Sequence, residues 1–160
     1  MAGREIILLA SNNYLGLSTE PTVVKAAQDA LDKYGTGASG SRLLSGNLDL
    51  YQKLEYRISA LKETEAALVF SSGYQANLGL ISTLCQADDL ILSDALNHAS
   101  IIDGCRLSKA QRLIYNHCDP DHLQDLLSNA STATNRWIIT DGVFSMDGNL
   151  APLPEILDLA

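Results

Sequence analysis

Basic charge is what this chain has least of. Eleven Lys and Arg face nineteen Asp and Glu, a formal net charge of -8 with a sequence pI near 4.6. No basic stripe gathers to follow a phosphate backbone or an anionic bilayer, so nucleic acid and membrane surfaces are not expected partners. Cysteine is nearly as scarce: Cys85, Cys105 and Cys118 are odd in number and irregularly spaced, poor material for a disulfide framework and ordinary for reduced thiols. Long apolar runs are missing too. Nothing approaches the roughly 18 residues of a membrane span, and residues 1–9 lack the layout of a secretory leader. The expected location is the cytoplasm. Neither a G-x-S-x-G elbow nor a Walker phosphate loop occurs, which leaves hydrolase and nucleoside-triphosphatase readings without their essential parts.

What is present is a 46% hydrophobic chain of 160 residues, enough for one core of ordinary size. Helical spacing runs from the Ser18-Thr-Glu-Pro21 start to Tyr34-Gly35, and again through Tyr51, Leu54, Ile58 and Leu61. Short apolar runs at 66–70, 90–92, 112–115 and 137–140 read as strands, alternating with helical patterns at 74–84, 98–107 and 120–127. The alternation predicts an α/β fold with a mainly parallel sheet and helices on both faces, its ligands bound beyond the carboxyl ends of the strands. A segment over 1–45, ending in a glycine-rich loop, is expected to precede a larger domain over 46–160. Residues 128–135 read as a polar surface loop. The pattern over 153–160 opens an amphipathic helix without a closing signal, so the chain is expected to be the front part of a longer fold.

Several motifs fall where a pocket would open. Gly35-Thr-Gly-Ala-Ser-Gly40 has the letters of a dinucleotide fingerprint, but a helix precedes it where that fingerprint needs a strand; it remains either a connector or a close backbone approach to a ligand. Ser71-Ser-Gly-Tyr74 joins an apolar run to a helix start, so the amides of Ser72, Gly73 and Tyr74 form either an anion seat or a plain cap. His98 lies just past a strand end, where it can stack on a flat ring or act as acid or base. The cluster His117-Cys-Asp-Pro-Asp-His122 has metal-ligand letters, yet Asp119 and Pro120 are better explained as helix cap and first turn; no metal is expected. Asp141 and Ser145, in Asp141-Gly-Val-Phe-Ser-Met-Asp-Gly148, follow the last strand and can hydrogen-bond a ligand in the same cleft.

Taken in order, Ser11-Asn-Asn-Tyr-Leu-Gly-Leu17, the Gly35–Gly46 loop, Ser71–Tyr74, Asn97-His-Ala-Ser100 and Asp141–Gly148 resemble the α-oxoamine synthase family. Those enzymes join an amino acid to an acyl-CoA on pyridoxal 5'-phosphate (PLP), releasing carbon dioxide and CoA. The resemblance implies the N-terminal part of a PLP fold-type I large domain, working as a homodimer. It implies that Ser72, Gly73 and Tyr74 hold the cofactor phosphate, that His98 stacks on the pyridine face, and that Ser145 and Asp141 flank the ring. Asn12 would approach the reacting substrate, and Ser41 and Arg42 would face the acyl-CoA channel. The family's Schiff-base lysine, its pyridine-nitrogen aspartate and a second histidine come later than residue 160, so the chain alone is expected to be inactive and to expose surface that favours aggregation. Lys25, Lys33, Lys53, Lys62 and Lys109 fall in or beside helices, not in a pocket that would lower an amine's pKa.

Overall fold

The computed structural model describes every residue except 1, 2, 4, 5, 9, 131 and 132; the polar loop expected over 128–135 includes two that lie outside. The chain divides into two compact units, Met1–Ala67 and Leu68–Ala160, and the expected 45/46 boundary falls inside the first. Among the described residues no helix is long and apolar enough to cross a membrane.

In the first unit a 3-10 turn, Leu17–Thr19, leads into helix α1, Pro21–Tyr34. Proline suits the first turn because its missing N–H would have no partner there. The cap is Glu20, whose side chain accepts from the Thr22 amide; Ser18 instead accepts from the Asn13 side-chain amide at 2.7 Å. Gly35, at φ 77, ends α1. Helix α2 spans Asp49–Lys62. The glycine-rich loop between them is folded on itself: the Gly46 amide donates to the Ser41 carbonyl at 2.9 Å, and a Cβ on Gly46 would lie 1.9 Å from the Gly40 carbonyl oxygen. Only glycine permits that approach.

The second unit is built on strands β1 (Leu90–Asp94), β2 (Gln111–Tyr115) and β3 (Arg136–Ile139), in the order β2-β1-β3 and all parallel. Leu92 pairs with Leu113 on one side and Ile138 on the other. All of β1 is buried, and its side chains alternate between two cores, as the two-residue strand period requires. Leu90 and Leu92 join Tyr115, Leu123, Phe144 and Ile156 beneath helices α5 (Pro120–Asn129) and α6 (Leu153–Leu159). Ile91 joins Ile81, Cys85, Ile101 and Cys105 beneath α3 (Gly73–Leu84) and α4 (Ala99–Leu107). Each such side chain, fully buried, contributes about 1.5–3 kcal/mol of transfer free energy. The expected parallel sheet with helices on both faces is therefore what forms.

One expected strand does not form among the described residues. Residues 66–70 belong to no ladder among the described residues, and Leu68 is 66% exposed. An apolar run states a preference for extended backbone, but a strand exists only when a neighbour completes its ladder.

Candidate functional site

The carboxyl ends of β1 and β3 carry a continuous polar network. Asn97, 4% exposed, donates through Nδ2 to Ser93 Oγ at 3.0 Å and to the Ile139 carbonyl at 2.7 Å, while its Oδ1 accepts from the Asp141 amide at 2.8 Å. One side chain thereby ties the loops leaving both strands. Asp141 Oδ2 in turn accepts from the His98 backbone amide at 2.8 Å. His98 caps α4: its Nδ1 accepts from the Ser100 amide at 3.1 Å and lies 2.7 Å from Ser100 Oγ. His98, Asp141 and Ser145, three residues the sequence singled out, share one cavity of about 200 Å³ with Asn97, Phe144 and Met146.

The start of α3 stands beside this cleft through a specific contact. Asn77 Nδ2 donates to Ser100 Oγ at 2.9 Å, binding the second turn of α3 to the first of α4. The approach is close because position 104 is glycine: a Cβ there would meet the Asn77 carbonyl oxygen at 3.0 Å and Ile81 at 3.1 Å. Tyr74 adds a second tie by donating its hydroxyl to Asp103, which raises the phenol above its ordinary pKa and holds the carboxyl below its own. At the N-terminus of α3 the Gln75 amide donates to Ser72 Oγ at 3.1 Å and the Ala76 amide to the Ser72 carbonyl. The amides of Gly73 and Tyr74 have no partner among the described residues. Ser72, Gly73 and Tyr74 are exposed. Two free donors at the positive end of a helix, open to solvent, fit a phosphate.

The remaining expected site residues belong to the first unit. Asn12 is exposed, with its Oδ1 3.5 Å from the Tyr14 hydroxyl. Ser41 is exposed and its carbonyl accepts the Leu44 and Gly46 amides. Arg42 is committed locally: its guanidinium donates to both Glu55 oxygens, at 2.7 and 3.0 Å, and through Nε to Asn47, and it lies 4.7 Å over the Tyr51 ring. It thus fastens the glycine-rich loop to α2.

The letters of the His117–His122 stretch separate in space. Asp119 caps α5 by accepting from the His122 amide, and His122 Nδ1 accepts from the Asn116 amide. His117 and Cys118 instead gather at Asp94, their ligand-type atoms within 4.8 Å of one another. There Asp94 Oδ1 accepts from the Leu96 amide and lies 2.9 Å from His117 Nδ1, and Oδ2 accepts from the Cys118 amide. Asn149 Nδ2 faces His117 Nε2 at 2.9 Å. These contacts brace the loops after β1 and β2. Burial, and then the charge of Asp94, push the Cys118 thiol up, away from the thiolate.

Of the lysines, Lys25, Lys53 and Lys62 sit on the helices of the first unit and Lys33 on α1 against Tyr34. Leu68–Ala160 holds one lysine, Lys109, in the turn before β2, at the sheet end opposite the cleft. Sequence reasoning gave no site role to Asn77 or Ser100, because the contact that joins them spans 23 residues of chain.

Comparison with known proteins shows the family. The family described as aminotransferase class I and II matches residues 4–160. An 8-amino-7-oxononanoate synthase from Lysinibacillus sphaericus is 54% identical over the whole chain, which covers 41% of that protein. 8-Amino-7-oxononanoate synthase 2 from Bacillus subtilis is 53% identical over 99% of the chain and 41% of its own length. Among solved structures, a serine palmitoyltransferase from Sphingomonas wittichii superposes with a TM-score of 0.94 at 41% identity, over 98% of this chain and 39% of that one. The 8-amino-7-oxononanoate synthase of Francisella tularensis gives 0.80 at 34% identity, over 98% and 43%. The chain spans about two fifths of the length of the relatives it matches.

Proposed function

Because the chain belongs to the aminotransferase class I and II family, alongside the α-oxoamine synthases, we propose that it supplies the phosphate seat and one wall of the ring pocket of a PLP-dependent acyltransferase. The reaction joins an amino acid to an acyl thioester with loss of carbon dioxide and the free thiol. Our lead assignment is L-alanine with a pimeloyl thioester, giving 8-amino-7-oxononanoate for biotin synthesis. It is supported by relatives of that name at 52–56% identity; Gly40-Ser-Arg-Leu-Leu-Ser-Gly46 and Gly73-Tyr-Gln-Ala-Asn77 resemble 8-amino-7-oxononanoate synthase and serine palmitoyltransferase alike. The observation that carries the reading is the pair of free amides, Gly73 and Tyr74, joined through Asn77 and Ser100 to His98.

PLP, when bound, supplies the electron sink that such a carbon–carbon condensation needs. The chain's residues do the seating. The Gly73 and Tyr74 amides and the α3 dipole take the phosphate dianion, the Ser71 and Ser72 hydroxyls standing beside it. His98 offers a flat face from the end of β1. Asp141, its orientation set by the His98 and Asn97 contacts, lines the edge of the cavity, and Ser145 places a hydroxyl on the same cavity wall. Asn12, Ser41 and Arg42 are assigned to the substrate side, Arg42 by holding the loop that carries Ser41. The lysine that bears the cofactor is assigned to family sequence that this chain does not span, since Lys109 lies at the wrong end of the sheet. A cytoplasmic homodimer is part of the same proposal.

Serine palmitoyltransferase structures superpose with TM-scores of 0.84–0.95, above the 0.80 of the Francisella synthase, and they set the second reading, L-serine with a long acyl thioester. Glycine with acetyl-CoA is the third, from the likeness of 93–104 to glycine C-acetyltransferase. The complete gene product, assayed for thiol release with each pair, should act on L-alanine and pimeloyl-CoA. Release with another pair alone would reassign the substrate. No PLP absorbance and no release with any pair would leave a non-catalytic binding module.

A further inference from the structure

The contacts around His98 determine more than where its ring lies. Ser100 is 1% exposed, and its backbone N–H, second in α4, is one of the amides a helix start leaves without an internal partner. That N–H cannot rotate, and it points at His98 Nδ1 at 3.1 Å, so Nδ1 must carry a lone pair there and not a proton. The Ser100 hydroxyl has one hydrogen and two acceptor positions. One acceptor position takes the Asn77 Nδ2–H at 2.9 Å, which leaves the hydroxyl hydrogen to His98 Nδ1 at 2.7 Å. Nδ1 thus receives two donors, and the ring's single proton is left to Nε2, which has no partner among the described residues while the residue lines the cleft cavity.

We propose that Asn77 and Ser100 are positioning residues that act in series on His98, holding its imidazole neutral, as the Nε2–H tautomer, in a fixed plane. The purpose rests on the reading of this cleft as a PLP seat. An imidazolium stacked on an electron-poor pyridine ring would set a full positive charge against ring atoms already short of electrons. A neutral ring stacks without that cost and keeps one N–H donor. The relay also explains why the α3–α4 approach at Gly104 is so close, since a wider crossing would take Asn77 Nδ2 away from Ser100 Oγ.

The test reads the histidine directly. Long-range proton–nitrogen NMR at pH 7 on the 15N-labelled complete gene product without cofactor, with His98→Gln to assign the His98 signals, should show His98 with an unprotonated Nδ1 and a protonated Nε2. Ser100→Ala should keep that tautomer through the backbone amide and move Nδ1 toward the position of an unbonded ring nitrogen. Asn77→Asp, the same size but an acceptor, should draw the Ser100 hydroxyl hydrogen to itself and so move Nδ1 toward the position of an unbonded ring nitrogen, the tautomer again kept by the backbone amide. In the double variant Asn77→Asp/Ser100→Ala the Asn77 substitution should add nothing to the Ser100→Ala shift. An Nδ1–H tautomer in the parent chain, or an Asn77→Asp shift that survives without the Ser100 hydroxyl, would overturn the relay. Should an Asn77 variant not fold, the parent and Ser100→Ala spectra still decide. None of these outcomes depends on substrate turnover, so a failed relay leaves the acyltransferase reading standing, and a failed assay leaves the tautomer measurement standing.

Discussion

Gly104→Ala is the substitution that most directly tests the packing beneath the cleft. The added methyl would sit 3.0 Å from the Asn77 carbonyl oxygen and 3.1 Å from both Cβ and Cδ1 of Ile81, inside ordinary van der Waals contact. Ile81 Cδ1 can rotate away; the Asn77 carbonyl and Ile81 Cβ belong to the α3 scaffold and can yield only if the helix moves. Overpacking of this kind costs about 1–3 kcal/mol, while alanine regains about 1 kcal/mol of helix propensity over glycine. The difference predicts a net loss of about 1 kcal/mol. Gly79 in α3 is the internal control: its methyl would meet only Phe70 Cε1, at 3.5 Å, so Gly79→Ala should stabilise by up to about 1 kcal/mol through propensity alone. Urea unfolding followed by the fluorescence of Trp137, the sole tryptophan, which packs on the Ile81 core, reads both. If Gly104→Ala stabilises the chain as much as Gly79→Ala, the close helix crossing is not a constraint and the argument fails.

Two further outcomes follow from buried polar groups. Asp89, 2% exposed, is held below the usual carboxylate range by the Gln86 amide, then by Asn135 and the Trp137 indole. A carboxyl lowered in the folded chain adds stability above its ordinary value of about 4 and loses it as the pH falls through the folded value. Unfolding midpoints of the parent should therefore drop below about pH 4 more steeply than those of Asp89→Asn; parallel curves would show that Asp89 carries none of the acid sensitivity. Tyr115 is 1% exposed, burial pushes its phenol up to about 12, and Thr140 lies nearby without completing a hydrogen bond to the hydroxyl. Removing a buried donor that has no partner removes a desolvation penalty, so Tyr115→Phe should hold or raise stability by up to about 1 kcal/mol. A loss of that size by the same unfolding measurement would mean the hydroxyl is bonded after all.

The strand reading succeeded where local pattern and tertiary need coincided. Leu90–Leu92 and Arg112–Tyr115 were legible because short apolar runs bounded by turn residues have few other uses between helices, and α5 was legible from Asp119 and Pro120, whose capping and φ preference act within one turn. The run at 66–70 misled for the complementary reason: its composition is that of a strand, but pairing is a property of two segments. In the same way His117 and His122, five residues apart, look like a ligand set in one dimension, while α5 turns His122 to the Asn116 amide and leaves His117 at Asp94.

For the candidate site, the sequence by itself placed His98, Asp141 and Ser145 just past strand ends and Ser72–Tyr74 at a helix start, because the α/β alternation dictates where such residues fall. The tertiary structure alone decided how they act together. That Asn97 spans β1 and β3, that Arg42 is spent on Glu55, and that Asn77 reaches Ser100 only because Gly104 lets two helices touch are facts about atoms brought within 3 Å across 13 to 44 residues of chain. Local propensity carries no information over such separations; the directions of hydrogen bonds, and with them the protonation of His98, exist only once the helices have packed.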